Sequence, residues 1–180
     1  MKKLLTIAFL IVSFLVLALA GLLFFSFSET GNEMLKPYLQ QKLEEEIGMP
    51  VEVKAFKLES GTSSVDVVIN RQADVHVETE HDLWSQSFKG MYHFKTDKFM
   101  YEDITLKDTE IKGNFEGVSE NIFIDGKGRA LGAALEYRFN IIDEMAQKII
   151  VNMQGAQLAE VLQLLGHPAL AQGTIDIEIN

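Results

Sequence analysis

No cysteine occurs anywhere in the 180 residues. That excludes disulfide staples, thiolate zinc sites, thiol redox chemistry and a lipid-modified N-terminal cysteine. Positive charge is in short supply: 16 Lys and Arg stand against 26 Asp and Glu, a net charge of −10. An acidic chain repels phosphate backbones, so no nucleic-acid partner is expected. Proline occurs only at Pro37, Pro50 and Pro168, each beside a helical pattern, and Trp84 is the single tryptophan. Also missing are a nucleophile elbow, a phosphate loop and a metalloprotease helix, so the chain reads as no enzyme, with no catalytic residue and no cofactor.

What is present begins with a long apolar run. Leu4 to Phe27 is 24 residues without a charge, including Leu4, Phe9, Phe14, Leu19, Phe24 and Phe27. As a helix it would span roughly 36 Å, against a hydrocarbon core of about 30 Å. Residues 1–28 therefore read as a transmembrane anchor. Lys2 and Lys3 precede the run, while Glu29 and Glu33 follow it. The bias predicts a cytoplasmic N-terminus and a domain across the bilayer. The alternative is a signal peptide cut after Ala20, but that would leave Leu22 to Phe27 as an apolar stub.

Residues 29–48 read as a linker and an amphipathic helix. Pro37 suits a first turn, Leu39, Leu43 and Ile47 form a stripe, and Gly48 and Pro50 end it. Gln40, Gln41, Glu44 and Glu45 are expected to face away. From Val51 the period changes to two. Val51 and Val53, then Phe56 and Leu58 after a phase shift, predict a strand with a bulge near Phe56. Alternation continues through Val65–Ile69, Ala73–Val77, Tyr92–Phe94, Phe99–Tyr101, Ile104–Leu106, Ile111–Phe115, Ile122–Ile124, Leu135–Ile141 and Ile149–Met153. The sum is roughly nine to eleven short strands in a meander, each with one apolar and one wet face. Gln157–Leu165 predicts a second short helix, and Thr174–Ile179 a last strand whose free edge could pair with another protein. The fold class is thus mainly β: an anchor, two short amphipathic helices, and an antiparallel β-rich domain over residues 49–180.

Three local features invite chemistry. His76, Glu78 and Glu80 would share one strand face, which suits a weak metal site or simply a hydrophilic sheet face; no metal is assigned. Gly126-Lys127-Gly128 reads as a hairpin turn. Trp84, among Asp82, Ser85 and Gln86, reads as a core residue, with a loop anchor or a membrane-interface position as alternatives.

The anchor, the stretch Leu35-Lys36-Pro37-Tyr38-Leu39 with Ile47-Gly48-Met49-Pro50-Val51, and the segment Leu158–Gly166 leading to Gln172–Ile177 together resemble the AsmA-like proteins of Gram-negative bacteria, relatives of TamB. The N component of type II secretion is similar. The resemblance implies an inner-membrane anchor and a periplasmic sheet curled into a taco-like groove that shelters or passes phospholipid. Its apolar lining would include Val65, Val67, Ile69, Val75, Val77, Phe115 and Ile175. An ordinary closed core is the alternative for those side chains. The implied partners are the lipid bilayer, a phospholipid ligand and, in the secretion-machine alternative, a protein at the C-terminal edge strand. About ten strands make a sheet only about 48 Å wide, so one copy would not bridge two membranes.

Overall fold

The computed structural model describes residues 29–180 apart from 83, 102–103, 119–120, 143–144, 165–171 and 180. The expected anchor, Leu4, Phe9, Phe14, Leu19, Phe24 and Phe27 included, lies outside the described residues. Among those described, no helix is long and apolar enough to cross a membrane.

Helix α1 (Glu29–Ile47) leads into strands β1 (Val51–Glu59), β2 (Thr62–Ile69), β3 (Ala73–Asp82), β4 (Ser87–Tyr101), β5 (Ile104–Val118), β6 (Asn121–Ala130), β7 (Ala133–Ile142) and β8 (Met145–Gln157). Helix α2 (Leu158–Leu164) and strand β9 (Thr174–Ile179) follow. All nine strands form one antiparallel sheet in sequence order, with β1 and β9 at opposite edges. The sheet is not closed. Each strand pairs with its chain neighbour, as two-residue side-chain alternation and short turns dictate. The turns use left-handed backbone where the chain reverses fastest: Gly61, Asn70 and Arg71, and Leu131-Gly132 all have positive φ.

Two expectations shift. Helix α1 starts at Glu29 rather than at Pro37, which lies inside it. The β1 bulge falls between Val53 and Ala55, close to the expected position. Tyr92–Phe94 and Phe99–Tyr101 are not separate strands but parts of β4, and Ile104–Leu106 joins Ile111–Phe115 in β5. Asp108 takes φ 43°, and beyond it the buried phase reverses. Opposite it in β4, Asp97 and Lys98 are both exposed and the phase reverses too, so Phe94 and Phe99, five positions apart, share the buried side, with ring centroids 6.0 Å apart.

The inner face is built in cross-strand rows. One row runs Val77, Tyr92, Gly113, Gly126, Tyr137, Val151, Ile179. The two tyrosines lean from either side over the two glycines, and their hydroxyls hydrogen-bond to each other. The Tyr92 hydroxyl also donates to the Asp125 carbonyl, at 3.2 Å. A Cβ at Gly113 would overlap the Tyr92 ring and the Asp125 carbonyl, and one at Gly126 the Tyr137 ring. The same pairing recurs one row away, where Phe115 covers Gly90, and in the next, where Phe88 covers Gly117. Bare glycine backbone on the inner face lets the sheet curl, while the opposing aromatic covers it. Gly126 and Gly128 are therefore inward positions inside β6, not the hairpin turn that their spacing suggests. The real turn is Leu131-Gly132, between β6 and β7.

Helix α1 closes the β1 edge. Its residues at four-residue spacing reach the backbone that β1 would offer a further strand. The Val51 amide donates to the Glu44 carboxylate (3.1 Å) and the Val53 amide to the Gln40 side-chain oxygen (3.3 Å). Lys36 donates to the Lys54 carbonyl (3.0 Å), and the Leu58 amide to the Asn32 Oδ1 (3.3 Å). Leu39 and Leu43, on the adjoining stripe, are buried in the core. Gln40 and Glu44 thus bind the sheet edge instead of facing away. The helix both extends the apolar core and satisfies an edge that would otherwise template aggregation.

Candidate functional site: the open inner face at the C-terminal edge

The structure divides the seven expected groove residues into two groups. Val65, Val67, Ile69, Val75, Val77 and Phe115 have at most 6% of their surface exposed and belong to one continuous core. Rows of side chains from β1 to β8, with Leu39 and Leu43 of α1 and Val161 of α2, fill the space over them. Ile175 lies apart, on β9, and is 40% exposed.

Burial decays along the inner face toward that edge. In β8 Met153 and Ala156 are still buried, but the inward positions Ile149 and Val151 of β8 and Ile177 and Ile179 of β9 are only half-buried. Their cross-strand partners in β7, Phe139 and Tyr137, are buried. The difference is topological. Among the described strands β9 is at the edge and has a single neighbour, β8, so its inward side chains and the nearby Ile149 and Val151 have less cover than those deeper in the sheet. The sheet therefore presents a lip of isoleucine and valine beside its sealed core. Ile149, Val151, Ile177 and Ile179 are absent from the sequence-based set. Their signal was their place in the strands at one edge of a meander, where fewer strands lie alongside to cover an apolar face. Covering the exposed remainder of one of these half-buried isoleucines would contribute about 1 kcal/mol, a fraction of what a fully exposed side chain gains.

At this edge the backbone is irregular as well as open. The β8–β9 register shifts between Met153 and Ala156, where Gly155 adopts φ 74° and its amide donates to the Asp176 carboxylate at 2.8 Å. A glycine in the left-handed conformation is what such a bulge requires. It interrupts the ladder, which resumes with Ala156 opposite Ile175 and Gln157 opposite Thr174.

The outer face is a charged lattice. His76 bonds to Asp66 (2.6 Å) and Glu78 (3.2 Å), His93 to Glu110 (3.0 Å), Lys112 to Glu110 (2.9 Å), and Lys89 to Glu80 (2.9 Å). Partial burial opposes charge on His76, but the Asp66 and Glu78 carboxylates outweigh it and raise its pKa above the ordinary histidine value. His76, Glu78 and Glu80 do share this face, yet Glu80 is turned to Lys89. Among the described residues no three His, Asp or Glu groups converge as metal ligands. A depression of about 590 Å³ lies here, bordered by Lys57, Glu78, Lys89, Asn114 and Asp125 together with the exposed apolar Met91 and Phe123. Exposed ion pairs of this kind solubilise a sheet face and contribute little stability.

His81 differs from the other described histidines. It is buried at the inner end of β3, neither ring nitrogen has a hydrogen-bond partner, and burial lowers its pKa. Trp84 corrects the core expectation: it is 98% exposed in the β3–β4 turn. Its amide donates to the Asp82 carboxylate at 2.9 Å, which fixes the turn and holds the carboxyl below its usual pKa. No protein-family model, curated protein or solved structure matches this chain.

Proposed function

We propose that this chain is a non-enzymatic envelope protein, anchored in the inner membrane by residues 4–27, whose periplasmic sheet shelters or passes a phospholipid along its apolar inner face. The observation that carries the reading is an unclosed nine-stranded sheet with a continuous apolar face that is sealed from β1 into β8, where Met153 and Ala156 are buried, and partly open at Ile149, Val151 and β9. An acyl chain laid on the lip gains about 0.8 kcal/mol for each methylene it buries. Ile175 and Ile177 would be the first contacts, with Ile149 and Val151 behind them. The AsmA-like pattern of anchor, helix and curled sheet supports the same reading, and outer-membrane biogenesis or lipid homeostasis is the process it suggests.

The test is to extract the full chain in mild detergent and identify bound phospholipid by native mass spectrometry. Retained phospholipid that is lost in an Ile175→Asp/Ile177→Asp variant supports the proposal. A lipid-free wild type, or a lipid load that the variant does not change, contradicts it.

The free outer edge of β9 favours a second reading, a structural subunit of a type II secretion-like machine that accepts a strand from a protein partner. Cross-linking from Thr174 or Asp176 separates the two, since this reading requires one defined protein neighbour there.

A further inference from the structure

The end of the sheet at which α1 begins also carries the most exposed large apolar side chain among the described residues. Asn32 of α1 is bonded to Leu58, which stands opposite Ser63 and, through it, Thr79. From that level α1 runs back three residues to Glu29, a rise of about 4.5 Å. From the same level β3 runs three residues to Asp82, about 10 Å. The β3–β4 turn therefore projects further along the sheet axis than the start of α1, two strand spacings (about 10 Å) to the side. The β1–β2 turn lies beside it, with the His81 amide donating to the Gly61 carbonyl at 2.9 Å. Trp84 stands on this projection, 98% exposed. Val118, paired with Ser87 at the foot of the same turn, is 56% exposed, and Met34, near the start of α1, is 75% exposed. In sequence, the apolar run Leu4–Phe27 ends two positions before Glu29.

We infer that the β3–β4 turn is a second membrane contact, seating Trp84 in the interface of the bilayer that holds Leu4–Phe27. The inference rests on the anchor reading but not on a lipid-carrying inner face. An indole belongs at that depth because its ring is apolar and its N–H reaches the headgroup region. The chemistry also selects the lipid. The chain carries a net charge of −10, and Asp82, beside Trp84, is a held carboxylate. A zwitterionic headgroup region suits that surface, whereas an anionic one repels it. With a helix fixed along β1 at one point and an indole at another, the sheet is held at a defined tilt to the bilayer rather than swinging on a single tether.

Trp84 is the chain's one tryptophan, so its fluorescence reports this site alone. The experiment reconstitutes the full chain into phosphatidylcholine vesicles with bromine on the acyl chains, placed either near the headgroup or near the bilayer centre. The expected result is blue-shifted emission with a marked loss under shallow bromine and a smaller loss under deep bromine. Replacing part of the lipid with phosphatidylglycerol is expected to weaken the quenching. Chain that floats with the vesicles but keeps red-shifted, unquenched emission overturns the inference and leaves the anchor standing. Chain that does not float overturns the anchor reading and the inference together. Quenching that grows with anionic lipid overturns the headgroup preference.

Discussion

At the scale of single residues, the row Tyr92, Gly113, Gly126, Tyr137 shows how the inner face is filled. Two glycines remove the side chains between two phenols, and the phenols close the gap with a hydroxyl–hydroxyl hydrogen bond. Burial pushes the Tyr137 hydroxyl up to about 12 from an ordinary 10.0, and raises Tyr92 further. A phenol whose value is higher folded than unfolded stabilises the fold fully below the unfolded value. That contribution is lost as pH rises from about 10 through about 12. Urea midpoints are therefore expected to fall steeply across that window. Tyr137→Phe should lower neutral-pH stability by about 1 kcal/mol and flatten the alkaline slope. An unchanged slope in the variant would show that the pair does not titrate with unfolding. The sequence displayed part of this row. Gly113 kept the alternation of Ile111 and Phe115, whereas Gly126 and Gly128 imitated a turn, because two glycines around one lysine carry the turn's composition. Only their continuation of the Ile122–Ile124 phase separates a strand from a turn. The opposing tyrosines that make those glycines necessary are set by register, which a single strand does not reveal.

At the scale of elements, α1 does two jobs with adjoining stripes. Leu39, Leu43 and Ile47 were legible as the apolar one. Asn32, Lys36, Gln40 and Glu44 were not, because polar residues at helical spacing look the same whether they meet water or a strand edge. The edge they serve becomes visible only once β1 is known to be first in the sheet. Triple replacement Asn32→Ala, Gln40→Ala and Glu44→Ala removes the acceptors for three β1 amides, each worth about 1 kcal/mol net. The expected outcome is a lower urea midpoint together with concentration-dependent self-association in analytical ultracentrifugation, since the freed edge becomes a template. A variant as stable and monomeric as the parent would show that these bonds are incidental. The joining of four short patterns into the long strands β4 and β5 was hidden for a related reason. The reversal of phase at Asp108 makes one strand look like two.

At the scale of the whole molecule, the apolar alternation was enough to indicate one antiparallel meander, but not where its inner face would be sealed. Sealing depends on neighbours. Inside the sheet Val65, Val67, Ile69, Val75, Val77 and Phe115 are buried, whereas Ile149 and Val151 of β8 and Ile175 and Ile177 of the edge strand β9 stay partly open, although β8 also buries Met153 and Ala156. Both groups have the same two-residue rhythm, so only position in the sheet distinguishes them. If the chain handles lipid, the contact belongs at the β8–β9 lip rather than in the filled centre. The most direct measurement uses a phospholipid with a photoreactive diazirine on its acyl chain, irradiated with the full chain in a membrane and mapped by peptide mass spectrometry. Adducts on Ile149, Ile175 or Ile177, in addition to any on residues 4–27, are the expected result. Adducts confined to residues 4–27, with none on β8 or β9, would contradict a lipid-sheltering sheet.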